Sequence, residues 1–358
     1  TRSEYPDELC IHQVFEKKAS LAPHAVAVEF GDEQVKYRQL NTRANILAHR
    51  LIDMGVGPEV SVGIYLEHSI EMIVSFLAVL KAGGAYIPLD PAYPVERLLF
   101  MIDDSGLRLI VTQYDLSIRL PQNTAQLVCL DNGQEELHPD RGENPITKVT
   151  PGNLAYVIYT SGTTGKPKGV MVSHKGLVNL AGALGRAYYV EADSRFLLFA
   201  SFSFDASLAE IIMTFYEGAT LILGTRSELM PGTDLAQLLN KHKVTHVVLP
   251  PSGLAVMPKV KLSALQSLVV AGETCSQVLA EEWAAQYRFI NAYGPTEATV
   301  CVASYEYKSD SEKLPIGRPI DNTRLYILNK SLTPVPVGVP GELHIAGIGL
   351  ARGYLNRQ

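Results

Sequence analysis

The sequence holds only four cysteines, Cys10, Cys129, Cys275 and Cys301, spaced far apart and without a CxxC pair. Neither a disulfide framework nor a zinc site follows from that spacing, and a reducing cytosol suits it best. Basic tracts are missing as well. The 31 Lys and Arg stand against 37 Asp and Glu, a net charge of −6, so nothing here is built to neutralise nucleic-acid phosphates. No apolar run approaches the roughly 20 residues that cross a bilayer. The first residues, TRSEYPDELC, lack the basic start and apolar core of a signal peptide. These absences read as a soluble, cytoplasmic protein with no nucleic-acid or membrane partner. Internal repeats and low-complexity tracts are also absent. What is present is 358 residues, 47% of them apolar, enough for two or more packed layers and more than one core.

Strand and helix patterns alternate along the chain, which predicts α/β layering with largely parallel sheets. Val60–Leu66 reads as a strand, and Ser69 is placed to cap the helix that follows, with Glu71 favourable in its first turn. Ile70, Ile73, Val74, Leu77 and Leu80 form one apolar stripe, which Gly83 and Gly84 end. Leu107–Thr112 is another strand. Asp131–Asn153 is polar and broken by Pro139, Pro145 and Pro151, so it reads as a linker. Further on, Leu177–Tyr188 reads as a helix and Phe196–Phe202 and Ala219–Leu223 as strands. Leu235, Leu238 and Leu239 mark one more helix face. Thr245–Leu249, Leu265–Ala271 and Arg288–Ala292 are apolar strands. The end differs: Arg324–Leu328 and Glu342–Ala346 are joined by the Pro/Gly-rich stretch Thr333–Gly341 with no helix, which predicts a small antiparallel sheet or barrel.

The run Leu154–Val170, LAYVIYTSGTTGKPKGV, carries the most chemistry. Leu154 to Tyr159 is an apolar strand, followed by a small-residue loop from Thr160 to Gly165 and by Lys166 and Lys168. Small residues let backbone amides approach an anion, hydroxyls donate to its oxygens, and ammonium groups offset its charge. This is the composition of a polyphosphate cradle. It is not a Walker A loop, because Lys166 is followed by Pro167. An isolated loop of this kind is as often a plain surface turn; the thirteen uninterrupted residues from Tyr156 to Lys168 are far more specific.

The run closely resembles the signature of adenylate-forming enzymes. Four further segments are similar to motifs of amino-acid adenylation domains, the ATP-using selection modules of nonribosomal peptide synthetases: LKAGGAYIPLDP at Leu80–Pro91, FDAS at Phe204–Ser207, NAYGPTE at Asn291–Glu297 and GELHIAGIGLARGYL at Gly341–Leu355. They stand in the family's order from about Lys36 to the last residues. The resemblance implies an αβαβα layered fold with two mainly parallel sheets and a small β-barrel-like C-terminal part. Its divisions are 1–145, 146–315 with the phosphate loop and amino-acid pocket, and 316–358. It also implies that the chain is the large N-terminal subdomain only. The family's ribose-binding Asp and the mobile subdomain that bears the catalytic lysine are expected to lie outside this chain, which by itself is then expected to turn over little.

By the same resemblance, the reaction joins an amino-acid carboxylate to the α-phosphate of ATP, giving an aminoacyl adenylate and pyrophosphate. The product is loaded onto a phosphopantetheine thiol of a partner carrier domain, among neighbouring synthetase domains. The obstacle is charge, since an anion must approach a polyanion, and positioned donors with Mg2+ must offset it. Thr160, Ser161, Gly162, Thr163, Thr164 and Gly165 would form the phosphate loop, with Lys166 and Lys168 adding positive potential. Tyr293 would stack on adenine, flanked by Asn291, Ala292, Gly294 and Gly272. Thr296 would bond a phosphate or the adenylate, and Glu297 would be the magnesium ligand, a hard oxygen for a hard cation. Taken alone, GPTE is a Gly-Pro turn with a solvated Glu.

Asp205 follows Phe204 at the end of an apolar stretch, and a partly buried carboxylate needs a partner. The resemblance pairs it with the substrate's α-ammonium; a helix N-cap is the plain alternative, and the two roles are compatible. Glu210 reads as structural or solvated. The side-chain pocket carries over onto Ala206, Ala209, Ser252, Val269, Ala271, Ala292, Val300 and Cys301, all small or apolar and none charged. The set resembles that of domains selecting aromatic amino acids. With Ala209 where phenylalanine-selecting members have Trp, the expected substrate is a ring larger than phenyl, tyrosine or tryptophan. The alternatives are an acyl-CoA or aryl-acid ligase of the same superfamily, or a module that binds without turnover.

Overall fold

Short β-branched runs alternate with amphipathic segments, and the computed structural model folds them into two sheets with helices between and outside them. It describes residues 2–131, 141–161, 166–309 and 313–357. The larger sheet orders its strands Arg318–Pro319, Ala303–Glu306, Arg288–Tyr293, Ser267–Val270, His246–Leu249, Arg195–Leu197, Thr220–Leu223, Val26–Phe30 and Glu33–Lys36. From Arg288–Tyr293 to Val26–Phe30 all pairings are parallel; the strands beyond at either edge are antiparallel. The smaller sheet runs Gly353–Tyr354, Lys168–Ser173, Leu154–Thr160, Ala85–Pro88, Ser61–Ile64, Leu109–Thr112 and Gln126–Cys129. The two sheets interleave along the chain. Val26–Lys36 belongs to the larger sheet and the hairpin Leu154–Ser173 to the smaller, so residue 145 does not divide one sheet from the other.

The helices Ile11–Leu21, Tyr37–Asp53, Ile70–Lys81, His174–Tyr188 and Asp205–Glu217 pack against one another and share one core with both sheets. Ile70–Lys81 shows what that position demands. Ser69 caps it as the sequence predicts, its Oγ accepting from Met72 N at 3.1 Å, and Gly83 at φ +86° follows its end. The sequence shows a stripe, yet every helix residue except Glu71 is buried, because the helix is covered all round. Even Lys81 is enclosed, paired with Glu16 and reaching Asn144 at 3.2 Å. A second core lies on the other face of the larger sheet, where Leu268 and Val270 meet Leu235, Leu238 and Trp283.

Three expectations need correction. The linker's described residues, Asp131 and 141–153, form no strand or α-helix, but they are pinned: Asn144 Oδ1 accepts from Asn41 and Asn45 at 2.9 and 3.0 Å. The C-terminal β part has the expected antiparallel pairing, Thr323–Leu328 with Glu342–Gly347. Among the described residues this is a two-stranded ribbon and not a closed barrel, and the chain then returns to the smaller sheet at Gly353–Tyr354. Phe196–Phe202 is a strand only to Leu197. Leu198 N still donates to Ile222 O, and from Phe199 on the backbone is held by a side chain.

Candidate functional site

The phosphate-loop segment joins two antiparallel strands and not a strand and a helix. Leu154–Thr160 pairs with Lys168–Ser173, and Thr160 stands opposite Lys168. The second strand escaped the sequence reading because its two lysine-flanked valines look like loop; Val170 and Val172 are nevertheless fully buried. Gly162, Thr163, Thr164 and Gly165 lie outside the described residues. Ser161 and Lys166 are exposed. Lys168 is half-buried, its Nζ 5.2 Å from the ring centroid of Tyr354.

The NAYGPTE segment leaves the larger sheet at the end of Arg288–Tyr293. Tyr293 is 39% exposed there, free to present its ring. Asn291 is buried and donates its side-chain N–H to Pro315 O at 2.8 Å, which makes it a brace of the strand end. Gly294 is required by space: a Cβ would fall 2.3 Å from Val300 O and 2.5 Å from Cys301 Cα. Gly272, across the strand ends, is required by conformation: its φ is +83°, and a Cβ would meet nothing within 4 Å. Open space above Gly272 is compatible with a flat ligand there.

Thr296 to Ala298 form a 3-10 turn. Glu297 is half-buried, and its Oε1 accepts from the Tyr354 hydroxyl at 2.7 Å. Among the described residues no group of three or more His, Cys, Asp or Glu side chains could hold a metal ion. A cation at Glu297 would therefore complete its shell with ligand oxygens and water, which suits Mg2+. One carboxylate oxygen engaged and one left over fits that role.

Asp205 opens the helix Asp205–Glu217, with Phe204 at the cap position and Ser207 Oγ bonded back to Phe204 O at 2.7 Å. Burial raises the Asp205 carboxyl above the usual carboxylate range. The Thr296 side chain and the Ala206 amide, both donors facing it, oppose that rise, and the nearby charge of Glu297 adds to it. The two motifs that the sequence places 91 residues apart thus come close enough to act on one carboxyl. Two tyrosines stand in Asp205's field: Tyr86 and Tyr156 are completely buried, and burial, then Asp205, raises both phenols. Neither hydroxyl has a hydrogen-bond partner among the described residues, nor does the buried Ser203 Oγ. Sequence reading passed over these tyrosines as strand residues.

Glu210 is structural. It is buried, and its Oε2 accepts from Phe199 N and Ala200 N at 3.1 Å each, taking the place of the missing strand partner. Burial, opposed by those two N–H donors, pushes its carboxyl well up.

Six of the eight expected pocket positions share one core. Val269 and Ala292, on neighbouring strands, share a core with Ala209 and Cys301, and Ala271 and Val300 pack against it from its rim. Val300 has φ +66° and follows Thr299 at +57°, a left-handed pair that turns the chain onto Gly294. Ala206 is half-buried on the first turn of its helix. Cys301 is inert, its thiol pushed up by burial to about 11. Ser252 stands apart: it is exposed, and both its N–H and its hydroxyl donate to Glu273, at 3.0 and 2.9 Å. Glu273 is a carboxylate at the edge of this set that the sequence reading left out; its only signal was adjacency to Gly272. A separate cavity of about 580 Å³, lined by His68, Asp90, Ser201, Phe202, Ser203 and Arg226 among others, has none of the expected site residues in its wall. No helix among the described residues is long and apolar enough to cross a membrane.

Comparison with known proteins places the chain as a whole. Two subunits of linear gramicidin synthase from Brevibacillus parabrevis are 48% and 49% identical to the chain over 357 residues, each match covering 100% of this chain. The chain spans only 5% and 7% of those proteins' lengths. Among solved structures, nonribosomal peptide synthetase FmoA3 in its α-methyl-L-serine-AMP bound form superposes with a TM-score of 0.92 at 28% identity, over 99% of this chain and 41% of that one. The AMPPNP-bound form gives 0.91 at 29% identity, over 99% and 39%. The model of the AMP-binding enzyme family matches residues 15–355. By the family model over residues 15–355 and by these relatives, this chain belongs to the AMP-binding enzyme family and is homologous to the adenylation domains of nonribosomal peptide synthetases.

Proposed function

We propose that the chain selects a large aromatic amino acid, tyrosine or tryptophan, and activates it with ATP and Mg2+ as the aminoacyl adenylate and pyrophosphate. The adenylate would then load the phosphopantetheine thiol of a carrier domain in nonribosomal peptide synthesis. The observation that supports this reading is that Asp205, at the start of its helix, meets the Thr296–Glu297 turn, whose two side chains act on its carboxyl in opposite directions. It sets a carboxylate suited to an α-ammonium against the turn suited to phosphate and cation.

In this reading Asp205 anchors the ammonium, so that the substrate carboxylate faces the α-phosphorus. A carboxylate oxygen forms the new P–O bond as the bond to the leaving pyrophosphate breaks. Mg2+, held at Glu297, would supply positive charge for the phosphates. Thr296 would donate at the junction, and Lys166 and Lys168 would add positive potential for the leaving group. Tyr293 stacks on adenine over the open surface at Gly272. Ala206, Ala209, Val269, Ala271, Ala292, Val300 and Cys301 line the side-chain pocket, and the Ala209 methyl leaves room for a ring larger than phenyl. Ser252 gives its proton to Glu273 and offers lone pairs to a donor such as an indole N–H or a phenol O–H.

The test is calorimetric competition among non-hydrolysable aminoacyl-adenylate analogues bearing tyrosyl, tryptophanyl, phenylalanyl, leucyl and arginyl side chains. Tightest binding is expected for the first two. Preference for the arginyl analogue overturns the pocket reading, and equal binding of a des-amino tyrosyl analogue overturns the role of Asp205.

A further inference from the structure

We infer that Tyr354 is a positioning residue for the metal-binding carboxylate, a role that rests on the reading of Glu297 as the cation ligand. Its hydroxyl donates to Glu297 Oε1 at 2.7 Å across 57 residues of sequence. A carboxylate offers about four acceptor sites. Engaging Oε1 with a fixed donor restricts rotation of the group and leaves Oε2 to be presented in one direction.

The backbone holds both partners in register. Ala351 N donates to Glu297 O at 2.8 Å, so the turn is gripped by its main chain as well as its side chain from one short segment. That segment is in turn fastened to the phosphate-loop hairpin. Gly353 and Tyr354 pair with Met171 and Val170, Arg352 N donates to Met171 O, and Leu355 N donates to Gly169 O. Arg352 is further tied to Glu59 and to Gly152 O. The tyrosine therefore stands on a strand of the hairpin's own sheet and reaches across to the turn of the other sheet.

The choice of a neutral donor has a physical consequence. Lys168 is close by, but its ammonium lies over the face of the Tyr354 ring, 5.2 Å from the centroid, and makes no ion pair with Glu297 among the described residues. A lysine on the carboxylate would cancel the charge that a divalent cation requires. A phenol orients the carboxylate without cancelling it, and its ring face gives the Lys168 ammonium a partner other than Glu297. Groups that orient a metal's ligand in this way commonly change affinity by about 10- to 100-fold when removed, in unrelated sites as well.

The experiment measures AMPPNP binding to the chain by calorimetry at a series of Mg2+ concentrations, for wild type, Y354F, E297Q and the double variant. Y354F keeps the ring over which Lys168 lies, and its urea midpoint is expected to match wild type. Its apparent Mg2+ affinity should fall about 10-fold or more, with metal-free AMPPNP affinity unchanged. The double variant should be no weaker than E297Q, because the hydroxyl acts only through Glu297. Wild-type Mg2+ affinity in Y354F beside a weakened E297Q overturns the role of Tyr354 alone, as does a double variant clearly weaker than E297Q. Wild-type Mg2+ affinity in E297Q overturns the assignment of Glu297, and this inference with it.

Discussion

Asp205→Asn separates what Asp205 does for the fold from what it does for the substrate, because the two effects have opposite signs. In the free protein the carboxyl is raised by burial, only partly offset by Thr296 and the Ala206 amide, and raised further by Glu297. An acid with a raised folded value holds its proton in the native state at pH values where the unfolded chain has lost it. Stability therefore falls as pH rises from the unfolded value through the folded one. Above that window the charged side chain costs about 1.4 kcal/mol for each pH unit that separates the two values. Asn keeps the shape and an acceptor for Thr296 but carries no charge. At pH 7 the variant should be more stable than wild type, and below pH ~3.5, where Asp205 is protonated in both states, the advantage should vanish. Binding should move the other way. Losing one partner of a screened ammonium–carboxylate pair costs roughly 2–5 kcal/mol, or about 30- to several-thousand-fold in affinity at 1.4 kcal/mol per decade. Urea unfolding from pH 3 to 8, with calorimetry of a tyrosyl adenylate analogue and its des-amino counterpart, reads both effects. A variant less stable than wild type at pH 7, or one that weakens both analogues equally, refutes the reasoning.

Gly294→Ala must displace backbone, since its Cβ would sit 2.3 Å from Val300 O; a loss of about 1–3 kcal/mol and weaker adenylate-analogue binding are expected by urea unfolding and calorimetry, and full stability would contradict the packing described. Ala209→Trp fills a 7%-exposed position on the pocket face and should shift preference from tyrosyl or tryptophanyl analogues toward smaller side chains, with unchanged ranking as the contrary result. The hydrogen bond from Arg352 holds Glu59 at about 2, against an ordinary 4.5, so the pair's contribution is present above pH 4.5 and is lost as pH falls toward 2. Both side chains are 41% exposed, so solvent screens the pair and Glu59→Gln should cost no more than about 1 kcal/mol at pH 7, less in high salt. A larger, salt-independent loss would count against a screened surface pair.

Much of the site's chemistry was legible along the chain because it sits where apolar strands end in small or polar residues. The motif order, the strand before the phosphate loop, the cap at Ser69 and the candidate residues Asp205 and Glu297 are local features, set by burial periodicity and by what glycine, hydroxyls and carboxylates can do. Once Ser267–Val270 and Arg288–Tyr293 are strands, their period of two puts Val269 on one face with Ala271 and Ala292 with Ile290. Which face meets the shared core is not local. It depends on the five helices that enter between the sheets, and on the interleaving that lets residues before 40 complete a sheet begun near 195.

Tertiary structure alone decided the contacts that make a site of these residues. Tyr354 reaches Glu297 across 57 residues and Ser252 reaches Glu273 across 21, and no spacing rule connects either pair. Lys168–Ser173 became a strand because Leu154–Thr160 offered it an unpaired edge, and Glu210 became a brace because the backbone at Phe199 and Ala200 had no ladder to join. Tyr86 and Tyr156 looked like ordinary strand aromatics until the fold set both hydroxyls in the field of Asp205. A sequence states which groups can donate, accept or carry charge. Partners are chosen by chain crossings whose free energy comes from burying whole faces at once, which no single residue encodes.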